Sequence, residues 1–291
     1  MNEKTLISFD YAIKYLLKHK ADYDIVEGFI SAIISSCGYP PVKINALLEG
    51  TAGIEDIDIS GSIADLIVED LSGVKYLIEI YRIYTDIFLY KRHFNSCRLI
   101  SDNVYGSDDY STIKKIIHIN LAYFDFQNIK TPLHYGKNVF YKMDKNHPKD
   151  LHLANMGLVF FDLYNIFPEH IVISIPLFDD IIKGELDEWL YVMKNRKVGD
   201  NFKSPYMQKI KERLAIFKMT PSDRNKYHEY RNISLKQRDY TVAAVALGIE
   251  QGRKEAKEKI EIAQKMLESN LPLEIISQCS DLTIDEIKKL L

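Results

Sequence analysis

Asp65 in SIADLIVED and Glu79 in KYLIEIY stand on either side of Leu71-Ser72-Gly73, in a stretch that reads as two strands joined by a turn. Two carboxylates brought together suit a divalent cation, because hard ions prefer oxygen donors. Counting along the hairpin places them. A three-residue loop with Gly73 in the left-handed position pairs Asp70 with Val74, Glu69 with Lys75 and therefore Asp65 with Glu79. Directly opposed residues share a face with Cβ atoms about 5 Å apart, near enough to grip one ion. Leu66, Val68, Ile78 and Ile80 then take the other face, toward a core. Two such carboxylates without a cation would repel and drive one pKa up. The plainer alternative is a pair of solvent-facing acids on an edge strand. Tyr81 follows Glu79 by two and shares its face. A phenol donates one hydrogen bond, carries no positive charge and is a poor base at neutral pH.

The elements that must position these groups alternate between helix and strand. Ser8–Lys20 and Asp24–Ser36 carry apolar residues at helical spacing. Helical spacing returns over residues 85–100. KKIIHINLAYFDF is a continuous apolar run, the pattern of a strand buried on both faces. VFYKM, GLVFFDLYNIF and HIVISIPLF read as further strands, and ELDEWLYVMKN opens a helical half. Near the C-terminus, LEIISQCS and TIDEIKKLL form two short helices, the second started by a Thr283-x-x-Glu286 capping box. They have the outline of a helix-turn-helix. Asp285 and Glu286 at the second helix's N-terminus would repel phosphates, which favours packing or self-association over DNA reading.

Charge is segregated. From Ile44 to Val74 there are seven acids and no Lys or Arg, whereas Lys194–Arg238 holds thirteen basic residues against four acids. Such a division suits a metal site facing a polyanion track, or equally a solvated basic helix pair. The net charge of −3 excludes a chain that binds nucleic acid through bulk positive charge alone. No apolar run approaches the roughly 18 residues of a membrane span, and MNEKTLISF lacks a signal-peptide core, so a cytoplasmic protein without a membrane partner is expected. Cys37, Cys97 and Cys279 are too scattered for a zinc site and read as reduced packing residues.

An Asp in one strand followed by Glu-x-(Lys or Gln) in the next resembles the PD-(D/E)XK nuclease superfamily. The surrounding text resembles its recombination-promoting nuclease and transposase branch: FDYAIKYLL, ADLIVEDLSG with YLIEI, FLYKR, KKIIHINLAYFDF, GELDEWLYVMKN, and GIEQGRKEAKEKIEIAQKMLES before the last two helices. The resemblance covers nearly the whole chain. It implies an α/β fold, a restriction-endonuclease-like mixed sheet flanked by helices with a helical C-terminal tail. It implies Mg²⁺-dependent cleavage of DNA, Mn²⁺ serving as a substitute. Asp65 and Glu79 would be metal ligands with the Ile80 carbonyl, Arg92 or Lys91 would steady the phosphate, and Asp10, Lys14 and Glu27 are additional positions. Asp10 and Lys14, spaced i and i+4, could pair with each other. Tyr81 departs from the usual Gln or Lys, which implies a weakened nuclease or a degenerate one that binds nucleic acid or protein without cutting. Lys75, about 20 Å back along the strand, cannot substitute. The expected divisions are a nuclease-like core over 1–165, a strand and basic helical extension over 166–238, and a C-terminal helical region over 239–291, the last a candidate for homo-oligomer formation.

Overall fold

The computed structural model describes residues 6–18, 23–48, 62–104, 110–126, 130–138, 141–143, 148–150 and 167–291. Most of GLVFFDLYNIF, and the side chains of Lys14 and Asp65, lie outside what it describes.

Helices α1 (Phe9–Lys18) and α2 (Tyr23–Ser35) open the chain and are followed by strand β1 (Ile44–Leu48). The predicted hairpin is β2 (Ser62–Asp70) and β3 (Lys75–Tyr81). Gly73 adopts φ +83, as the bulged turn requires of a residue without a Cβ. Asp70 N donates to Val74 O at 3.0 Å, and Asp70 Oδ1 accepts from the backbone of Ser72 and Val74, so the turn satisfies its own donors. Glu69 faces Lys75 and Leu66 faces Ile78, as counted, but the register then shifts between Ile63 and Leu66. Ala64 and Asp65 together therefore oppose Glu79, a bulge in place of the direct Asp65–Glu79 pair that an unbroken ladder would make.

Helix α3 (Phe88–Val104) crosses over to β4 (Ile116–Ala122), which runs parallel to β3. Short strands β5 (Leu133–Gly136), β6 (Tyr141–Met143) and β7 (Pro148–Asp150) precede β8 (Glu169–Ser174). The main sheet has six strands in the order β1-β2-β3-β4-β8-β5, mixed in direction, while β6 and β7 pair separately. Every residue of β3 and β4 is buried, the central position that the apolar run of β4 implies. β8, from the stretch following residue 165, lies inside this same sheet between β4 and β5.

Beyond the sheet come α4 (Glu185–Asn195), α5 (Tyr206–Arg213) and the 48-residue α6 (Pro221–Glu268). Trp189 of α4 is fully buried and its ring meets those of Phe9, Phe29 and Tyr206, which joins α1, α2, α4 and α5 in one core. Gly28 of α2 permits this approach, since a Cβ there would fall 2.5 Å from the Tyr206 ring.

The chain divides into two compact units, 1–224 and 225–291. In the second, α7 (Leu273–Ser280) and α8 (Ile284–Lys288) fold back on α6 around Ala263, Ile276 and Ile287. The capping box of α8 is formed: Glu286 N donates to Thr283 Oγ1 at 3.3 Å, and Thr283 N to Glu286 Oε2 at 2.8 Å. No helix among the described residues is long and apolar enough to cross a membrane.

Candidate active site

The two faces of the central strands differ in chemistry. One face, with Tyr76, Ile78 and Ile80 of β3 and Ile117, Ile119 and Leu121 of β4, is almost wholly apolar. On the other, Leu77, Glu79 and Tyr81 stand beside His118, Asn120 and Ala122, under α3. Leu77 joins Ile67, Leu99 and Ile116 in an apolar cluster at the N-terminal end of this face. Toward the C-terminal ends of the parallel strands, where α/β sheets place their ligands, the face turns polar.

Glu79 is the centre of that polar patch and is fully buried. Tyr81 Oη donates to its Oε2 and Asn95 Nδ2 of α3 donates to its Oε1. His118 Nε2 lies 2.9 Å from Oε2, and His118 Nδ1 lies 2.8 Å from Ser96 Oγ. A buried carboxylate needs such partners, because an unpaired one would cost several kcal/mol. Ser96, His118 and Glu79 thus repeat the connectivity of a serine-hydrolase relay. The Ser96 Oγ donates to the Arg92 carbonyl, however, so its proton is not directed at His118 as a nucleophile's would be, and the chain serves to orient Glu79.

Arg92 enters the same pocket from α3. It is buried, its guanidinium carbon lies 5.2 Å from the centroid of the Phe88 ring, and among the described residues its Nε has no hydrogen-bond partner. Burial pulls its pKa below the usual arginine range, against the pull of Tyr81 and Glu79. Lys91 precedes it on α3 and is half-buried.

The other sequence candidates are placed differently. Asp10, buried in the first turn of α1, forms an ion pair with Arg82, the residue after Tyr81. Glu27 binds Lys43 Nζ at 2.9 Å and the backbone N of Ile44 at 2.8 Å, fastening α2 to the start of β1. Ile44 pairs with Asp70 at the turn end of the hairpin, about 17 Å along the strands from the level of Glu79. Lys75 N bonds to Lys115 O and Tyr123 N to Tyr81 O, so odd residues of β3 face β4. The backbone of Ile80 accordingly turns toward β2, where Ile63 stands opposite. Helix α3 lies over that face of the sheet and seals the Glu79 carboxylate from solvent.

Asn95, Ser96 and His118 were not among the sequence candidates. Their signal was faint: His118 and Asn120 are two polar residues of one parity in an otherwise apolar strand. Among the described residues no three His, Cys, Asp or Glu converge as a metal centre. Among the described residues, donors take three of roughly four acceptor positions on Glu79, and the fourth is on Oε1. Asp65 stands on the opposing bulge with its side chain outside the described residues, and the Glu79 carboxylate is the kind of oxygen donor that a hard divalent ion takes.

A mixed six-stranded sheet flanked by helices, with this hairpin and a helical C-terminal stretch, is a restriction-endonuclease-like fold. The chain belongs to the PD-(D/E)XK nuclease family transposases, whose family model matches residues 7–244. Neither the curated proteins nor the solved structures give a match.

Proposed function

We propose that this protein is a divalent-metal-dependent DNA endonuclease of low turnover, with Glu79 and Asp65 as metal ligands and Arg92 as the phosphate-binding cation. The observation that supports it best is Arg92: a buried cation near Glu79 whose Nε lacks a partner among the described residues suits an anionic oxygen. A bound Mg²⁺ or Mn²⁺ would activate the attacking water and neutralise charge on the phosphate. Asn95 and His118 hold the Glu79 carboxylate in one orientation, so it does not have to be ordered when the substrate arrives. Tyr81 supplies no cation. It donates to Glu79 Oε2 and so leaves a metal only the Oε1 side of the carboxylate, which fits low turnover.

That same hydrogen bond favours a second reading, a degenerate nuclease that binds nucleic acid or protein without cutting. The proposal extends to self-association through α6, where Tyr240, Val242, Val245 and Leu247 form an exposed apolar run. Nicking of supercoiled plasmid with Mg²⁺ and with Mn²⁺, beside Glu79→Ala, separates the two readings. Nicking that disappears in Glu79→Ala is expected. Intact plasmid with both metals, together with no Glu79-dependent divalent binding by calorimetry, would transfer the chain to the binding class.

A further inference from the structure

Two exposed helix faces repeat one spacing. On α3, Ile87, Tyr90, Phe94 and Cys97 follow at intervals of three, four and three, so they form one stripe, on the side of the helix turned away from buried Arg92. The Ile87 carbonyl accepts from Lys91 N at 2.9 Å, so the stripe begins within the helical spiral. Tyr90 is 77% exposed and Phe94 62%, against the usual burial of such rings. On α6, Val242, Val245, Ile249 and Gly252 follow at the same intervals, with Val245 57% exposed and Ile249 52%. Nothing from Tyr240 to Ile249 carries a charge, the pattern of a helix that a neighbour covers. Gly252 lies inside α6 although a Cβ there would meet nothing within 4 Å among the described residues. Glycine in a helix interior costs about 0.5–1 kcal/mol, and the packing of its own chain does not require one here.

We infer that these two faces dock on each other between two copies of the chain, α3 of each copy receiving α6 of the other in a two-fold dimer. The inference rests on the self-association reading of α6, to which it gives a receiving surface, and not on the nuclease reading. Charge selects the pairing. From Ile87 to Ser101 the chain has Lys91, Arg92 and Arg98 and no acid, whereas from Asp239 to Gly252 it has Asp239 and Glu250 and no base. Packing α3 against a second α3 would set like charges along the contact; packing it against α6 sets opposite ones. Equal spacing lets the two rows interdigitate as knobs into holes. With the helices antiparallel and Phe94 level with Val245, Tyr90 meets Ile249, Cys97 meets Val242, and Ile87 meets Gly252, whose missing side chain leaves it room. Arg98 then comes within about 3 Å of the level of Asp239 of the second copy, at a rise of 1.5 Å per residue. Because each copy gives one α3 and one α6, two-fold symmetry satisfies both faces and assembly stops at two.

Sedimentation velocity over a range of concentrations tests the pairing on the full chain, on Tyr90→Ala/Phe94→Ala, on Arg98→Glu and on Arg98→Glu/Asp239→Arg. All four side chains are exposed, so each variant keeps its fold, which circular dichroism checks. The expected wild-type result is a concentration-dependent dimer, with a dissociation constant that rises about tenfold or more in Tyr90→Ala/Phe94→Ala. Arg98→Glu should weaken the dimer several-fold and the added Asp239→Arg should restore it, since opposite charges then face each other again. A wild-type dimer left unchanged by Tyr90→Ala/Phe94→Ala overturns the inference while self-association through α6 stands. Weakening by Arg98→Glu with no recovery in the double reversal overturns the pairing of α3 with α6 as well. A wild-type chain that is monomeric at every concentration overturns both the inference and the self-association on which it rests.

Discussion

Tyr81 is the residue on which the proposed activity turns. Where the family pattern expects an amine or amide aimed at water and phosphate, this chain has a hydroxyl that hydrogen-bonds the neighbouring carboxylate. Tyr81→Phe removes one donor from Glu79 and frees a lone pair, so divalent affinity measured by calorimetry is expected to rise several-fold. Tyr81→Lys adds a cation near the scissile phosphate and should raise plasmid nicking by about tenfold or more, because that charge is stabilised most in the transition state. If neither variant changes affinity or nicking, Tyr81 is a packing residue and its bond to Glu79 has no functional consequence.

At the scale of elements, the sheet is fastened at the end opposite the candidate site by a buried polar network. Lys115 Nζ, just before β4, lies 2.6 Å from Glu169 Oε1 at the start of β8, and the hydroxyls of Tyr39 and Tyr135 also donate to Glu169. Burial alone would raise the Glu169 carboxyl, but hydrogen bonds from Lys115, Tyr135 and Tyr39 outweigh it and hold the pKa below the usual value. Lys115→Met removes the cation while leaving the carboxylate buried, and urea denaturation should show a loss of about 3 kcal/mol. Lys115→Met combined with Glu169→Leu should recover much of that loss, since no charge is then left unpaired.

For the molecule as a whole, stability should depend on pH through His170. Burial and the nearby His118, Arg92 and His93 lower its pKa from 6.5 to about 4, so the folded chain keeps the ring neutral where the unfolded chain charges it. The contribution is complete above pH about 6.5 and is lost as pH falls toward 4, by about 1.4 kcal/mol per unit at most and less for a partly exposed ring. His170→Asn should flatten thermal stability across that window. A second whole-molecule prediction concerns association: if the exposed run on α6 pairs with another copy, Val245→Glu/Leu247→Glu should convert a concentration-dependent oligomer into monomer in sedimentation. A wild-type chain that stays monomeric at every concentration would remove self-association from the proposal.

Local grammar was legible in the residues. The hairpin turn at Gly73, the register of Glu69 against Lys75, the buried strand of β4 and the capping box at Thr283 all depend on neighbours within a few positions, and each forms as its residue types require. The resemblance in motif order likewise identified the family before any geometry was known. What only the tertiary structure decided is who touches Glu79. Asn95 is sixteen residues away and His118 thirty-nine, and they meet it because a parallel crossover lays α3 over one face of β3 and β4. Packing of the first two helices likewise gives Asp10 to Arg82 and Glu27 to the start of β1, pairings that spacing along the chain does not show. The bulge at Ala64-Asp65 also escaped counting. Spacing fixes parity along one strand, but partners across elements are selected by burial, where a carboxylate removed from water takes whichever donors the packed neighbours present.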